Sequence, residues 1–517
     1  MTLAPDKANH GASLWRIGFL FLILWIAFIL RLIYVRQVSP FVDEYISMLA
    51  MQSIIKHGTP ILPSGLFYGP KALLHSYIGV LALWLFGLSE FAVRFSSVLI
   101  GVATVSCIYK VGQQWFSSVV GLSAAMALAW LPSAVEWGGR VRMYSLLQLL
   151  ILIGVYLFID GYLKNYTYRV RVAGMFILLL ASVFVHTLAF IVIGGLVVAI
   201  IISRLIAFSR PKPILWPHFW EVLAGIVFII VVIVFNPIGG RAWGPQLGLS
   251  DFQGPLTFLQ ERTPYLLAFT HQFVIWPLWP LSIFYIIGLI SLLLRLKRKS
   301  LILGDEIALS LYFLVLCTWL GVSISARFHE DRYLFAILPF YLLLAFREIY
   351  LLTEVIFTSI KGPSVLLSDN LYVSSVISLL IVVLLAPSFI QLVSKDTYGF
   401  TPAYLYVRHN WRDGDVIATC SPAASQLVLG HTDYYVIQYG AESDNGVDVW
   451  TGAPLINTPE EFQAVLEDNP RVWFVVEKLC WERHFDVDFQ KAVNRNMQIT
   501  LDYKGMLVFV SNRDRTK

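Results

Sequence analysis

Ile17 to Leu30 is an apolar run closed by Arg31 and Arg36, and runs like it recur along most of the chain. Others lie at about 92–110, 118–134, 146–160, 172–185, 188–207, 219–236, 270–294, 306–325, 333–346 and 371–390, which makes 11 with the first. A helix needs about 20 mostly apolar residues to cross about 30 Å of hydrocarbon, and the longer runs reach that length. They lack the strict alternation of a membrane-spanning strand. The expected fold class is therefore a polytopic α-helical membrane protein with about 11 transmembrane helices. A composition of 57% hydrophobic and 14% charged residues agrees. No small-residue cleavage site follows Leu30, so the first run reads as a retained signal-anchor.

One more apolar stretch, Ala72 to Phe86, is about 15 residues long, short for a span and suited to a buried or interfacial helix. The basic loops Lys164/Arg169/Arg171, Arg204/Arg210/Lys212 and Arg295/Lys297/Arg298/Lys299 decide its placement. Short cytoplasmic loops carry the excess of Lys and Arg. All three fall in the cytoplasm if Ala72 to Phe86 stays on the outer side. The N-terminus is then cytoplasmic, the C-terminus extracytoplasmic, and a first outer loop spans 36–91. The expected location is the plasma or inner membrane.

From about Val393 the apolar runs shorten to strand length: "DVIATC", "YYVIQY", "RVWFVVEK" and "GMLVFVS". Between them lie helix-like "PAYLYVRHNW" and "TPEEFQAVLEDN", the latter opening on a capping box of Thr458 and Glu461. The alternation points to a small extracytoplasmic α/β domain at 393–517, after a membrane domain at 1–392. Cys107 and Cys317 fall in apolar runs; Cys420 and Cys480 fall in the polar C-terminal region, and their pairing is left open.

The charged residues assigned to the outer side carry the chemistry. Asp43 and Glu44 open "DEYISMLAMQSIIKHG", whose apolar positions follow helical spacing up to Gly58. Asp43 reads either as the N-cap of an interfacial helix or as a base toward an acceptor hydroxyl. Lys71 heads an apolar helix, where a lysine snorkels to the interface or meets a lipid phosphate. Arg140, Arg142 and Tyr144 in "GGRVRMYSLLQLL", with Glu136 just before, oppose the positive-inside bias, as do Arg332 and Tyr333 in "HEDRYLFAILPFYLLLAF". Either set pairs with nearby acids or clamps a phosphate. His186 ends an apolar run, and His57, His75 and His329 have no metal-ligand spacing. No glycine-rich phosphate loop or nucleophile elbow is present, so neither a soluble nucleotide nor a nucleic acid is an expected partner.

These features stand in a recognisable order. "DEYISMLAMQSIIKHGTP" resembles the first loop of polyprenyl-phosphate-sugar-dependent glycosyltransferases of the GT-C fold, a superfamily that includes protein O-mannosyltransferase-like proteins and the lipid A aminoarabinose transferase. "FYGPKALLHSYIGVLALWLFGLSEFAVRFSSVLIG" is similar to their Y-x-K-P-P-L…LFG…A-x-R stretch, "EWGGRVRMYSLLQLL" to their second outer loop, and "DRYLFAILPFYLLLAF" to their R-Y-L-x-P-x-x-P helix. The resemblance covers about 17–390 and departs at Ala72 and Leu73, which stand for the two prolines, and at Met143, which stands for the proline after Arg142.

The resemblance implies a sugar donor on a polyprenyl monophosphate, used at the outer face of the membrane, and a glycan, lipid or protein acceptor. Asp43 would be the general base, Glu44 would orient acceptor or sugar, and Lys71, Arg142 and Arg332 would hold the departing phosphate. Tyr68, His75, Arg94, Glu136, Arg140, Tyr144, His186 and Tyr333 would support them. The metal requirement varies in the superfamily, so a divalent metal stays open and no metal ligands are assigned. A transporter or a membrane sensor would also place charges near a bilayer. A transporter should show paired interrupted helices in two halves, and a sensor needs no lipid-sized groove.

Overall fold

The computed structural model describes residues 10–87, 89–164, 169–208, 255–272, 278–298, 303–325, 330–361, 366–394, 398–441 and 443–511. The chain divides into two compact units: Met1–Tyr34 with Ser97–Gly139 and Met143–Leu392, and Val35–Ser96 with Arg140–Arg142 and Val393–Lys517.

The first unit is helical. Its elements are α1 (His10–Gln37), which runs on past Tyr34, most of α4 (Glu90–Trp115), α5 (Ser118–Trp130), α6 (Pro132–Gly139), α7 (Tyr144–Lys164), α8 (Arg169–Val183), α9 (Leu188–Phe208), α10 (Pro255–Thr270), α11 (Trp279–Lys297), α12 (Leu303–Ser325), α13 (Leu338–Lys361) and α14 (Leu366–Ser394). Among the described residues, five stretches are long and apolar enough to cross a membrane: Leu14–Gln37, Glu90–Trp115, Trp279–Lys297, Gly304–Ser325 and Phe335–Ile356. The pair α5 and α6, bent by 64°, is a sixth if it counts as one broken span. The spans expected at 146–160, 172–185, 188–207 and 371–390 fall on shorter apolar helices, and the one at 219–236 lies outside the described residues. The run expected at 270–294 is not one helix, because α10 ends at Thr270 and α11 begins at Trp279. The protein is a multi-pass membrane protein.

The bend between α5 and α6 has a chemical cause. Pro132 has no N–H to offer the carbonyl four residues back, so Leu128 loses its helical partner. Arg31, 1% exposed, supplies replacements: Nη2 donates to the Leu128 carbonyl at 3.2 Å and Nη1 to that of Ala129 at 3.3 Å. Gly101 and Gly138 make room for it; a Cβ on either would lie 2.7 or 2.5 Å from Arg31 Nε. Small residues at helix contacts let backbones approach in membrane proteins.

The second unit contains α2 (Val42–His57), α3 (Gly69–Phe86) and the region after residue 393. That region builds a six-stranded sheet from β1 (Asp415–Thr419), β2 (Tyr434–Val436), β5 (Leu455–Ile456), β6 (Arg471–Glu477), β7 (Met497–Tyr503) and β8 (Met506–Ser511), in the order β5-β2-β1-β6-β8-β7. The four strands β5, β2, β1 and β6 run parallel, and β8 and β7 pair antiparallel. A small hairpin, β3 (Ser443–Asp444) and β4 (Val447–Asp448), lies outside the sheet. The helices are α15 (Phe400–His409), α16 (Pro422–Val428), α17 (Pro459–Asp468), α18 (Lys478–His484) and α19 (Val487–Asn496). Central β6 is buried along five of its seven residues, as its apolar run requires. Phe474 on β6 joins Phe462, Phe485, Phe489 and Phe509 in the core.

Candidate active site

Two carboxylates in sequence meet different surroundings. α2 starts at Val42 behind Phe41, whose extended backbone (φ −84°, ψ 157°) makes it the N-cap. Asp43 is therefore not the cap; it lies inside the first turn. The capping contact comes from Glu44, whose Oε1 accepts the Phe41 N–H at 2.9 Å, while the Glu44 N–H donates to the Phe41 carbonyl at 2.8 Å. α2 ends at Gly58 in the left-handed region (φ 76°), its N–H donating to the Ile54 carbonyl.

Glu44 is fully buried and its oxygens are spoken for. Arg94 donates through Nη2 to Oε1 and through Nε to Oε2, both at 3.0 Å, and the Val141 N–H donates to Oε2 at 2.8 Å. With Phe41, that makes four bonds on two oxygens. Burial works against the charge, but Arg94, followed by Arg140 and the Phe41 N–H, holds the carboxyl below its usual range. Arg94 Nη1 also donates to the Val35 and Val38 carbonyls, at 3.2 and 2.6 Å. Glu44 and Arg94 thus tie α2 to the chain before it and to the 140–142 segment.

Asp43 stays accessible, with 28% of its side chain exposed, and pairs with Arg142 Nη2 at 3.2 Å. Arg142 is 8% exposed. Its Nη1 donates to the Asp43 carbonyl at 3.0 Å, to Ser47 Oγ at 3.3 Å and to the Tyr68 hydroxyl at 3.4 Å. Tyr68 is buried and packs its ring edge-on to Trp450. Arg140 lies over the Phe41 ring, 5.2 Å from its centroid. Asp43, Glu44, Tyr68, Arg94, Arg140 and Arg142, expected separately, form one cluster.

His75 lies on α3, 1% exposed, and neither ring nitrogen has a hydrogen-bond partner among the described residues. Burial, then the charge of Arg142, lowers it to about 3, so the imidazole is neutral. α3 is not among the candidate spans and packs on α2: Val80 and Leu83 join Met48, Met51 and Ile54. Ala72 breaks its helical dihedrals where the resemblance would place a proline. The Lys71 side chain lies outside the described residues.

Other expected residues cluster inside the helical unit. Arg332, in a 3₁₀ turn at Asp331–Tyr333, pairs with Glu330 at 2.9 Å and stands over the rings of Trp137, Tyr144 and Tyr333, 5.9, 5.7 and 5.4 Å from their centroids. His186 Nδ1 accepts the Leu188 N–H, and its ring centroid is 5.4 Å from that of Tyr144. Glu136 lies on α6. Among the described residues no three His, Cys, Asp or Glu side chains come together as a metal cage.

Sequence reasoning missed the contacts made from beyond residue 393 to α2, to Ser64 after it and to Glu90 at the head of α4. The Tyr45 hydroxyl hydrogen-bonds to Thr401 at 2.9 Å, and Thr401 donates to Glu90. The Tyr45 ring meets Phe400 edge-on, and Ser64 donates to the Val449 carbonyl at 2.7 Å. These partners are hundreds of residues apart, and no local pattern marks them.

Residues 70–235 match the family model for dolichyl-phosphate-mannose-protein mannosyltransferase. A comparison with curated proteins finds no match. Among solved structures, ArnT from Cupriavidus metallidurans in the apo state is 13% identical, with a TM-score of 0.62 over 98% of this chain and 99% of that one. The same protein bound to undecaprenyl phosphate gives 0.59 at 12% identity over 98% and 99%. The oligosaccharyltransferase AglB from Archaeoglobus fulgidus, in complex with an inhibitory peptide and a dolichol-phosphate, gives 0.56 at 13% identity over 98% of this chain and 75% of that one. Likeness at such identities is likeness of fold, and the chain shares the fold of ArnT along nearly its whole length.

Proposed function

We propose that the protein is an inverting glycosyltransferase that moves a sugar from a polyprenyl monophosphate to an acceptor hydroxyl at the outer face of the membrane. The observation that carries this reading is the division of labour between Asp43 and Glu44. Glu44 is consumed by four hydrogen bonds in the interior, whereas Asp43 keeps 28% of its side chain exposed and pairs with the donor-rich Arg142 side chain. The match of residues 70–235 and the lipid phosphates bound by the structural neighbours support the donor class.

In this reading Arg142 serves two anions in turn. Without donor it holds Asp43. A lipid phosphate is a stronger magnet for a planar guanidinium, and Arg142 moving toward it would release Asp43 to accept the acceptor's proton. The oxygen so freed attacks C1, the bond from C1 to the phosphate oxygen breaks, and the lipid phosphate leaves with its charge offset by Arg142 and Lys71. Glu44 holds the helix rather than the acceptor. The N-terminus is cytoplasmic and residues 393–517 form a separately folding extracytoplasmic module.

Purified protein in liposomes, given radiolabelled polyprenyl-phosphate sugars with and without cell-envelope acceptors, tests the reading. Release of the label from the lipid, and its appearance on an acceptor with inverted anomeric configuration, is the expected outcome. A donor left intact with every sugar and acceptor tried, by folded protein, would sink it.

A further inference from the structure

The carboxyl ends of β1 and β6 bring two cysteines together. Cys420 directly follows β1 and donates its N–H to the Val475 carbonyl on β6 at 3.3 Å. Cys480 lies on α18, three residues beyond the end of β6. Both side chains pack against the same core around Phe474, both are part-exposed, and both thiols are reduced. The Cys480 side chain lies within hydrogen-bonding reach of Cys420, and the Glu477 carboxylate is near enough to act on its charge. Glu477 accepts a bond from Ser421 Oγ at 2.8 Å, and Ser421 Oγ is 3.7 Å from Cys420 Sγ. The neighbouring Tyr404 hydroxyl is engaged by Thr419 and the Ser421 carbonyl.

We propose that Cys420 and Cys480 are an oxidisable pair, closed to a disulfide by exchange with a disulfide reagent, with the Glu477 carboxylate as acceptor of the first thiol proton. Burial pushes Glu477 up to about 7, so near neutral pH it is present in both forms and is a usable proton acceptor. The contact with Cys420, then burial, raises the Cys480 thiol, and Ser421 Oγ stands between Cys420 Sγ and the Glu477 carboxylate, so Cys420 is assigned as the nucleophile.

With oxidised glutathione as the reagent, the Cys420 proton passes to Glu477 and its sulfur attacks one glutathione sulfur. The sulfur–sulfur bond breaks, one glutathione leaves and takes a proton through solvent from Glu477. Cys480 then attacks the mixed disulfide at Cys420, and the second glutathione leaves with the Cys480 proton. Two thiol hydrogens and two electrons end on two reduced glutathiones.

The closure would be felt at α2. α16 starts two residues after Cys420, and its Leu427 packs against the cluster of Met48, Met51 and Ile54. Linking Cys420 to α18 fixes the root of the helix on which α2 leans.

Full-length protein in detergent is equilibrated in buffers from fully reduced to fully oxidised glutathione, acid-quenched, alkylated, digested and read by mass spectrometry. The expected result is a linked peptide pair containing Cys420 and Cys480, with Cys107 and Cys317 still alkylated. Both thiols alkylated in the most oxidising buffer, or each capped by its own glutathione with no link, overturns the proposal. Glu477→Gln should reach the same end point about tenfold more slowly. An unchanged rate removes Glu477 from the exchange. In urea, where the pair is not held together, the Gln variant and the parent should react alike.

Discussion

At the scale of single residues, the two adjacent acids separate into an anchor and an accessible group. Glu44→Gln leaves the Arg94 charge buried without its counter-charge, a loss of about 3–5 kcal/mol for a broken buried pair. Thermal unfolding in detergent should show it as a clear fall in midpoint, whereas Asp43→Asn, partly exposed and outside the cap, should move the midpoint little. Equal shifts for the two variants would contradict the assignment. His75→Leu should leave stability unchanged or raise it without ligand, since neither imidazole nitrogen has a partner among the described residues to lose. That Asp43 and Glu44 stand at the head of a helix was legible from the apolar spacing behind them. Which of them is the anchor was not, because Arg94 and the Val141 N–H lie 50 and 97 residues away.

Elements whose signals are local were the most legible. Thr458 and Glu461, three apart, form the capping box read from their spacing: the Glu461 N–H donates to Thr458 Oγ1 at 3.2 Å and the Thr458 N–H to Glu461 Oε2 at 3.3 Å. Thr458→Ala should cost about 1 kcal/mol in the C-terminal domain, measured by chemical denaturation. The apolar strands β1, β2, β6 and β8 stood out as runs, while edge strand β7, "MQITLDY", is largely exposed and carries no such run. The break at Pro132 was equally hidden, because the run 118–134 passes straight through it. Its stability depends on Arg31. Arg31→Met removes the donors from two buried carbonyls at about 1–3 kcal/mol each, and should lower the thermal midpoint of the purified protein. A midpoint equal to the parent's would show that the carbonyls find other donors.

At the scale of the whole molecule, the C-terminal sheet carries its own core of buried aromatics, so residues 393–517 made alone should fold cooperatively. The same region supplies Thr401, Phe400 and Leu427 to α2, so a chain ending at Lys395 should lose protection of α2 in hydrogen exchange. The domain's stability should depend on pH through Glu477. Burial raises that carboxyl from 4.5 to about 7, against the Ser421 hydrogen bond. The folded chain therefore keeps a proton that the unfolded chain releases. Stability is full below about pH 4.5 and falls as pH rises to about 7, by at most about 3 kcal/mol and less where solvent screens the group. Glu477→Gln should flatten that slope.

The central claim is that Asp43 takes a proton during sugar transfer, and one comparison tests it most directly: turnover of a saturating labelled polyprenyl-phosphate sugar by the parent and by Asp43→Asn, alongside donor binding and the thermal midpoint of each. Asn matches Asp in size but accepts no proton, so turnover should fall by about 10²-fold or more while binding and midpoint stay near the parent's. Parent-level turnover by a folded, donor-saturated Asp43→Asn would contradict the account.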